Sequence, residues 1–208
     1  MMTVKDVLYG WGGLNLRLFH AINGLGGGFY DQFMLLGTAL SSRINFPIYL
    51  AILVMIAMVD RRRHPLSPHR RVLWGHVIAV CALAFLLDCL FLEAMKHWLH
   101  YPRPFAILPP ESMRIIGEPM DAGESYVSFP SGHASFAMLL AASLWPALGR
   151  AGRVAACLFV AWVWWSRVAL GVHFPVDVVA GSFSCLLIVL GARLALNRLP
   201  RYSLTKAR

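Results

Sequence analysis

The stretch VLWGHVIAVCALAFLLDCLFLEAMKHW, residues 72–98, decides the fold. It is longer than the roughly 20 apolar residues a helix needs to cross a ~30 Å hydrocarbon layer. Its charged groups, Asp88, Glu93 and Lys96, all stand in its second half. On one side lies RRRHPLSPHRR, residues 61–71, and on the other a Pro-rich polar loop opens at Tyr101. The segment reads as a membrane helix with its basic end in the cytoplasm.

Composition agrees. Of 208 residues, 58% are hydrophobic and 14% charged, with a mean hydropathy of +0.61. A soluble domain carries about 25% charged residues. The net charge of +9 suggests nucleic acid at first sight. The basic residues cluster in short loops between apolar runs, however, so the charge reads as topology with some attraction to anionic lipid. We expect no nucleic-acid partner, and no obligate protein partner is evident. Cys81, Cys89, Cys157 and Cys185 all lie inside apolar segments without metal-type spacing, and read as small core residues. No basic segment followed by a cleavable apolar stretch opens the chain, so the first spanning helix is expected to direct insertion.

Outward from residues 72–98, other segments fall into place. Residues 6–24 mix Leu14, Leu16, Leu18, Phe19 and Ile22 with Asn15, Arg17 and His20, as an amphipathic helix at the interface would. Residues 29–42 are apolar but short, either a half-helix or the start of the next span. Spans are expected over 44–59, 131–148, 154–167 and 176–197. Trp162, Trp164 and Trp165 suggest an aromatic belt near the outer end of 154–167. Pro102, Pro104, Pro109, Pro110 and Pro119 rule out a long helix between Tyr101 and Phe129. That loop is acidic through Glu111, Glu118, Asp121 and Glu124, and reads as a solvated lid. The predicted class is an all-α integral membrane bundle of about five to six spans with an N-terminal interfacial helix. The whole chain, 1–208, is expected to be a single membrane-embedded domain.

The basic clusters at 61–71, 150–153 and 198–208 put three other stretches together on the opposite face. The first holds Lys96 and Arg103, two cations able to converge on one anion. The second is Phe129-Pro130-Ser131-Gly132-His133, read as the first turn of a helix. There Ser131 caps, Gly132 permits close approach, and free N–H groups favour an anion beside the His133 imidazole. The third is Ser166-Arg167 with His173 and Asp177. The carboxylate four residues on can hold one imidazole nitrogen and leave the other free to attack. Each group alone could be an ordinary cap or a snorkelling side chain. Their conjunction, three cations, two histidines, one carboxylate and one helix N-terminus, suits phosphoryl transfer through a phosphohistidine. It does not suit a metal site, since the cations occupy the role a metal would take. Within 72–98, Glu93 reads as a structural partner for Lys96, and Asp88 has no evident partner.

The pattern Lys96-x6-Arg103-Pro104, Pro130-Ser131-Gly132-His133 and Ser166-Arg167-x5-His173-x3-Asp177 resembles the three signature motifs of the type 2 phosphatidic acid phosphatase family. All three are complete and in order, spanning residues 96–177. That resemblance implies His173 as nucleophile, Asp177 as its orienting partner, and His133 as the acid that protonates the leaving oxygen and later activates water. It implies Lys96, Arg103 and Arg167 on the phosphate oxygens, with the backbone N–H groups of Ser131 and Gly132 completing the cradle. It also implies catalysis without metal or cofactor.

The N-terminal layout, Asn15 to Gly24 ahead of the first clear span, also resembles bacterial undecaprenyl-diphosphatases of the family. Within the family the short chain and compact loop favour undecaprenyl diphosphate as substrate, and the charge pattern puts the expected site on the periplasmic or outer face of a bacterial inner membrane. Phosphatidylglycerol phosphate, phosphatidic acid and lipid A phosphates are the alternatives. A non-hydrolytic lipid-phosphate binder or transporter would use the same cations, but has no need of both histidines. Haloperoxidase chemistry at bound vanadate is disfavoured by the spans and the short chain.

Overall fold

The computed structural model describes residues 9–117 and 127–199, and all its regular structure is helical. Seven helices of a turn and a half or more run in order: α1 (Leu14–Asn23), α2 (Gly28–Leu40), α3 (Phe46–Arg63), α4 (Pro68–Leu99), α5 (Gly132–Leu144), α6 (Arg150–Ala169) and α7 (Pro175–Asn197). Glu118, Pro119, Asp121, Glu124 and the tail from residue 200 on lie outside the described residues, so the acidic lid reading is addressed only in part.

The bundle is apolar on its outside as well as its inside. α3 buries only Leu53, while Ile48, Ile52, Met55, Ile56, Met58 and Val59 face outward. Leu86, Leu87 and Leu90 of α4 and Phe183, Leu187 and Leu194 of α7 do the same. An apolar exterior of this extent is a surface for lipid. α3, α4 and α7 are each long and apolar enough to cross a membrane. The chain is thus the expected all-α integral membrane bundle.

α5 is the axis of the bundle, packed against α4, α6 and α7. Its inner residues are mostly small: Ala134, Ser135, Ala137, Ala141, Ala142 and Ser143 are buried with Phe136, Leu139 and Leu140. Small side chains let helices approach closely where lipid removes the hydrophobic drive between them. Thirteen residues rise only about 20 Å, less than the ~30 Å layer. α5 is therefore shorter than the predicted 131–148 span, with its start buried at Ser131 and its end running into the exposed Trp145. Its backbone groups there are met by neighbours: Ser131 N–H donates to the Asp177 carbonyl at 3.0 Å, and Arg193 Nη2 donates to the Ala142 carbonyl at 2.7 Å. α4, with 32 residues and a rise of about 48 Å, overshoots the layer instead. Its last turn carries Lys96.

Several expectations are refined. The basic residues at 61–63 and at 150–153 are not in loops; they form the end of α3 and the start of α6. α2 is a separate helix, broken from α3 at Ser41–Ser42, and packs on α6. α1 turns Leu14, Leu16 and Leu18 outward and buries Asn15, Phe19 and Asn23. Asn15 Oδ1 accepts the Val176 N–H at 3.1 Å, and Asn23 Nδ2 donates to the Ala169 carbonyl at 2.9 Å. α1 is thus strapped across the ends of α6 and α7. The tryptophans are only partly a belt. Trp165 is exposed, but Trp164 donates to Ser182 Oγ at 2.6 Å and Trp162 stacks on Phe33 at 4.5 Å. Glu93 is exposed and forms no ion pair among the described residues, unlike the expected pairing with Lys96.

Candidate active site

The sequence motifs meet at the end of the bundle opposite the Arg61–Arg63 and Arg150–Arg153 turns. Pro175 starts α7, fixing Phe174 in extended backbone as its cap. Asp177 then falls in the first turn, where its Oδ2 accepts the Phe174 N–H at 2.8 Å. The same oxygen lies 3.3 Å from His173 Nδ1. Gly171, at φ +77°, makes the turn from α6 that brings His173 there; a side chain at this position would also meet the Arg114 carbonyl.

Asp177 is fully buried and richly supplied with donors. Ser128 Oγ donates to Oδ2 and Tyr9 Oη to Oδ1, both at 2.6 Å. These three donors offset part of the cost of burying a carboxylate. With the proton on Nδ1 of His173, that N–H donates to Asp177 Oδ2, and the Nε2 lone pair is turned to the cations. Nε2 faces Arg103 Nη1 at 3.4 Å, and that nitrogen also donates to the Val172 carbonyl at 3.1 Å. His173 is 2% exposed. Burial first, then the charges of Arg103 and Arg167, holds its imidazole well below the ordinary histidine value. It is neutral at physiological pH, the form that can attack.

Arg167, in the last turn of α6, is also buried, and its Nη1 donates to Thr38 Oγ1 of α2 at 3.0 Å. Lys96 is half-buried at the end of α4. The charges of Lys96, Arg103 and Arg167 act on both His133 and His173. His133 opens α5, next to Gly132. Ser131 occupies the cap position by backbone geometry without a side-chain cap bond, and the helix begins at Gly132. Pro130 precedes that cap and is joined to Phe129 by a cis peptide. One detail departs from the expected cradle. The Ser131 N–H is already given to the Asp177 carbonyl, so it is not available to a phosphate, and its Oγ is fully buried with no hydrogen-bond partner among the described residues. α5 and α7 meet here at Gly181, where an added Cβ would run into the Ser131 carbonyl.

The structure thus brings together His133, His173, Asp177, Lys96, Arg103, Ser131, Gly132 and Arg167. It adds groups the motifs do not contain. Tyr9, stacked on Tyr101 at 3.4 Å, and Ser128 close the back of the carboxylate. Burial, then the Asp177 charge, pushes the Tyr9 phenol above its ordinary value, so it stays a donor. Asp88, without a sequence partner, pairs with Arg43 at 3.4 Å and accepts from Ser135 Oγ. Nothing local in the sequence marks Tyr9 or Ser128. Arg43 carried a signal: an arginine at the start of a span, on the face that positive-inside patterning otherwise leaves poor in cations.

A cluster of cations around a neutral imidazole held by a carboxylate can bind a phosphoryl group and accept it on nitrogen. A sequence model of the PAP2 superfamily matches residues 73–201. Among solved structures, LpxE of Aquifex aeolicus is similar with a TM-score of 0.69 and 24% identity, covering 86% of this chain and 94% of that one. The first transmembrane PAP2 type phosphatidylglycerolphosphate phosphatase from Bacillus subtilis is similar with a TM-score of 0.65 and 21% identity, covering 92% and 88%. These likenesses are of fold. No curated protein matches by sequence.

Proposed function

The chain belongs to the PAP2 superfamily, and on that premise we propose that it is a metal-independent phosphatase of membrane lipid phosphates, with undecaprenyl diphosphate as its favoured substrate. Residues 1–208 then form one membrane-embedded domain around a 96–177 core. The observation that carries this reading is the orientation of His173, with Nδ1 held by Asp177 and Nε2 turned to Arg103.

Chemistry follows from that geometry. The phosphoryl group is gripped by Arg103, Arg167 and Lys96, with the free N–H groups of the α5 turn. His173 Nε2 attacks phosphorus, an N–P bond forms, and the P–O bond to the leaving group breaks. His133 gives its proton to the leaving oxygen. A water then gives its proton back to His133 and attacks phosphorus, and the N–P bond breaks to release phosphate. Asp177 balances the imidazolium charge between the two steps.

The test is phosphate release from polyprenyl diphosphate by detergent-purified protein in the presence of a chelator. Retained activity, together with its loss in His173→Ala of unchanged melting temperature, supports the reading. Strict dependence on added divalent metal would sink the mechanism. A second reading, phosphatidylglycerol phosphate hydrolysis, draws support from the activity in the name of the similar Bacillus subtilis structure. A panel of lipid mono- and diphosphates separates the two.

A further inference from the structure

One cation beside the site belongs to none of the three motifs. Arg43 sits in the turn Arg43–Asn45 that joins α2 to α3, and its side chain is 26% exposed. Its guanidinium is anchored from one side. Nη2 lies 3.4 Å from Asp88 Oδ2 and donates to Cys89 Sγ at 2.8 Å. Its central carbon stands 5.5 Å from the middle of the Phe85 ring. Asp88 is fully buried and is held in turn by Ser135 Oγ, from the first turn of α5. The fork is therefore oriented by a fixed acid.

Its other arm faces the start of α5. A Cβ on Gly132 would lie 3.5 Å from Arg43 Cδ and 3.9 Å from Nη1. Nε is buried without a hydrogen-bond partner, and Nη1 has none among the described residues. Arg43 thus stands beside the residue preceding His133. Its charge is among those acting most strongly on His133, with Arg167, Arg103 and Lys96. The groups acting most strongly on His173 are Arg103, Arg167, His133 and Lys96.

In an in-line phosphoryl transfer the nucleophile and the leaving oxygen stand on opposite sides of phosphorus. His173 holds the first side and His133, as acid, the second. The leaving group of a monoester is an alcohol, which needs a proton and no cation. That of a diphosphate ester is a lipid phosphate with anionic oxygens of its own. A guanidinium nitrogen on the His133 side matches one of those anionic oxygens, and an alcohol has no such oxygen to offer it.

We propose that Arg43 is a specificity-determining residue that binds the leaving, lipid-bearing phosphate of a diphosphate substrate. This rests on the reading above, with His173 as nucleophile and His133 as acid. As the bridging P–O bond breaks, its oxygen takes the His133 proton, and the departing lipid phosphate keeps its remaining negative charge against Nη1 of Arg43. Enzyme with Arg43 intact then favours diphosphate over monophosphate esters.

Removing Arg43 alone would strand the buried Asp88 charge. The test therefore compares Arg43→Gln/Asp88→Asn with Asp88→Asn, alongside Arg43→Lys in the native background. Substrates are a polyprenyl diphosphate and the monophosphate of the same tail. The kcat/KM ratio of diphosphate to monophosphate should fall about 30-fold in the double variant relative to Asp88→Asn, and about fivefold in Arg43→Lys. If the double variant does not fold, the ratio in Arg43→Lys decides. A ratio unchanged while the native enzyme hydrolyses diphosphate overturns the Arg43 role alone. Native enzyme active on the monophosphate but not the diphosphate overturns the substrate reading and this role with it.

Discussion

Tyr9 Oη donates to Asp177 Oδ1 at 2.6 Å, linking the N-terminal segment to the buried carboxylate beside His173 across 168 positions of chain. The contact sits behind the proposed nucleophile and touches no part of the space in front of Nε2. Its effect must pass through Asp177, by keeping that carboxylate ionised and fixed against His173 Nδ1. Tyr9→Phe keeps the ring that stacks on Tyr101 and deletes only the donor. We expect kcat to drop about tenfold, with KM changed less than about threefold, as for loss of one hydrogen bond to a charged group. A loss carried by KM alone would instead place Tyr9 against substrate.

The state of His173 sets a pH dependence of stability. Burial and the Arg103 and Arg167 charges keep its folded value well below the ordinary one. The unfolded chain therefore binds more protons than the folded chain as pH falls below about 6.5. The stabilising contribution is fully present above that pH and is lost progressively on acidification. Inorganic phosphate in the site would offset the cations, raise the folded value, and shrink the loss. Melting temperatures in detergent from pH 8 to 5 should fall less with phosphate than without. His173→Asn should flatten that part of the curve. A phosphate-independent acid limb would show that the cations do not govern His173.

How far the site could be read beforehand depends on the range of the signals. His173 and Asp177 are four residues apart, and Lys96 and Arg103 seven, so local spacing places each pair. Charge patterning then puts the three motifs on one face. The Tyr9, Ser128 and Thr38 contacts are made across the bundle, and neither spacing nor hydropathy encodes them. The same holds for the Ser131 N–H. As part of a helix start it looked free, and only the packing of α5 on α7 shows that Asp177 takes it. The helix limits missed at the basic clusters have a simpler cause. Arginines are good helix formers, so α3 and α6 extend through residues that hydropathy assigns to loops.

That α5–α7 packing makes a separate prediction. Gly181 lies so close to Ser131 that a Cβ would overlap its carbonyl oxygen. The obstacle is backbone, which cannot rotate aside. Gly181→Ala should destabilise the protein by about 1–3 kcal/mol, as overpacking in a tight core does. It should also shift the turn that presents Gly132 and His133, so activity should fall at temperatures where the variant is still folded. Circular dichroism melts and turnover measured on one preparation check both. An unaltered melting temperature would mean that α5 and α7 are less tightly apposed.

Orientation across the membrane is the last expectation, and it follows from the charges at the two ends of the bundle. The Arg61–Arg63 and Arg150–Arg153 turns mark one end, and the site marks the other. By the positive-inside rule the site is expected to open on the outer face, the periplasm in a bacterium. Ser112 is exposed in the turn Pro110–Ser112, on the loop that leaves the site end of α4. The protein's own cysteines are free, and Cys157 is exposed. Ser112→Cys in a Cys157→Ser background should therefore react with a membrane-impermeant maleimide in intact cells whose outer barrier is permeable to it. A cysteine at Ser67, the cap of α4 at the opposite end, should label only after lysis. The reverse pattern would invert the topology and put hydrolysis on the cytoplasmic face.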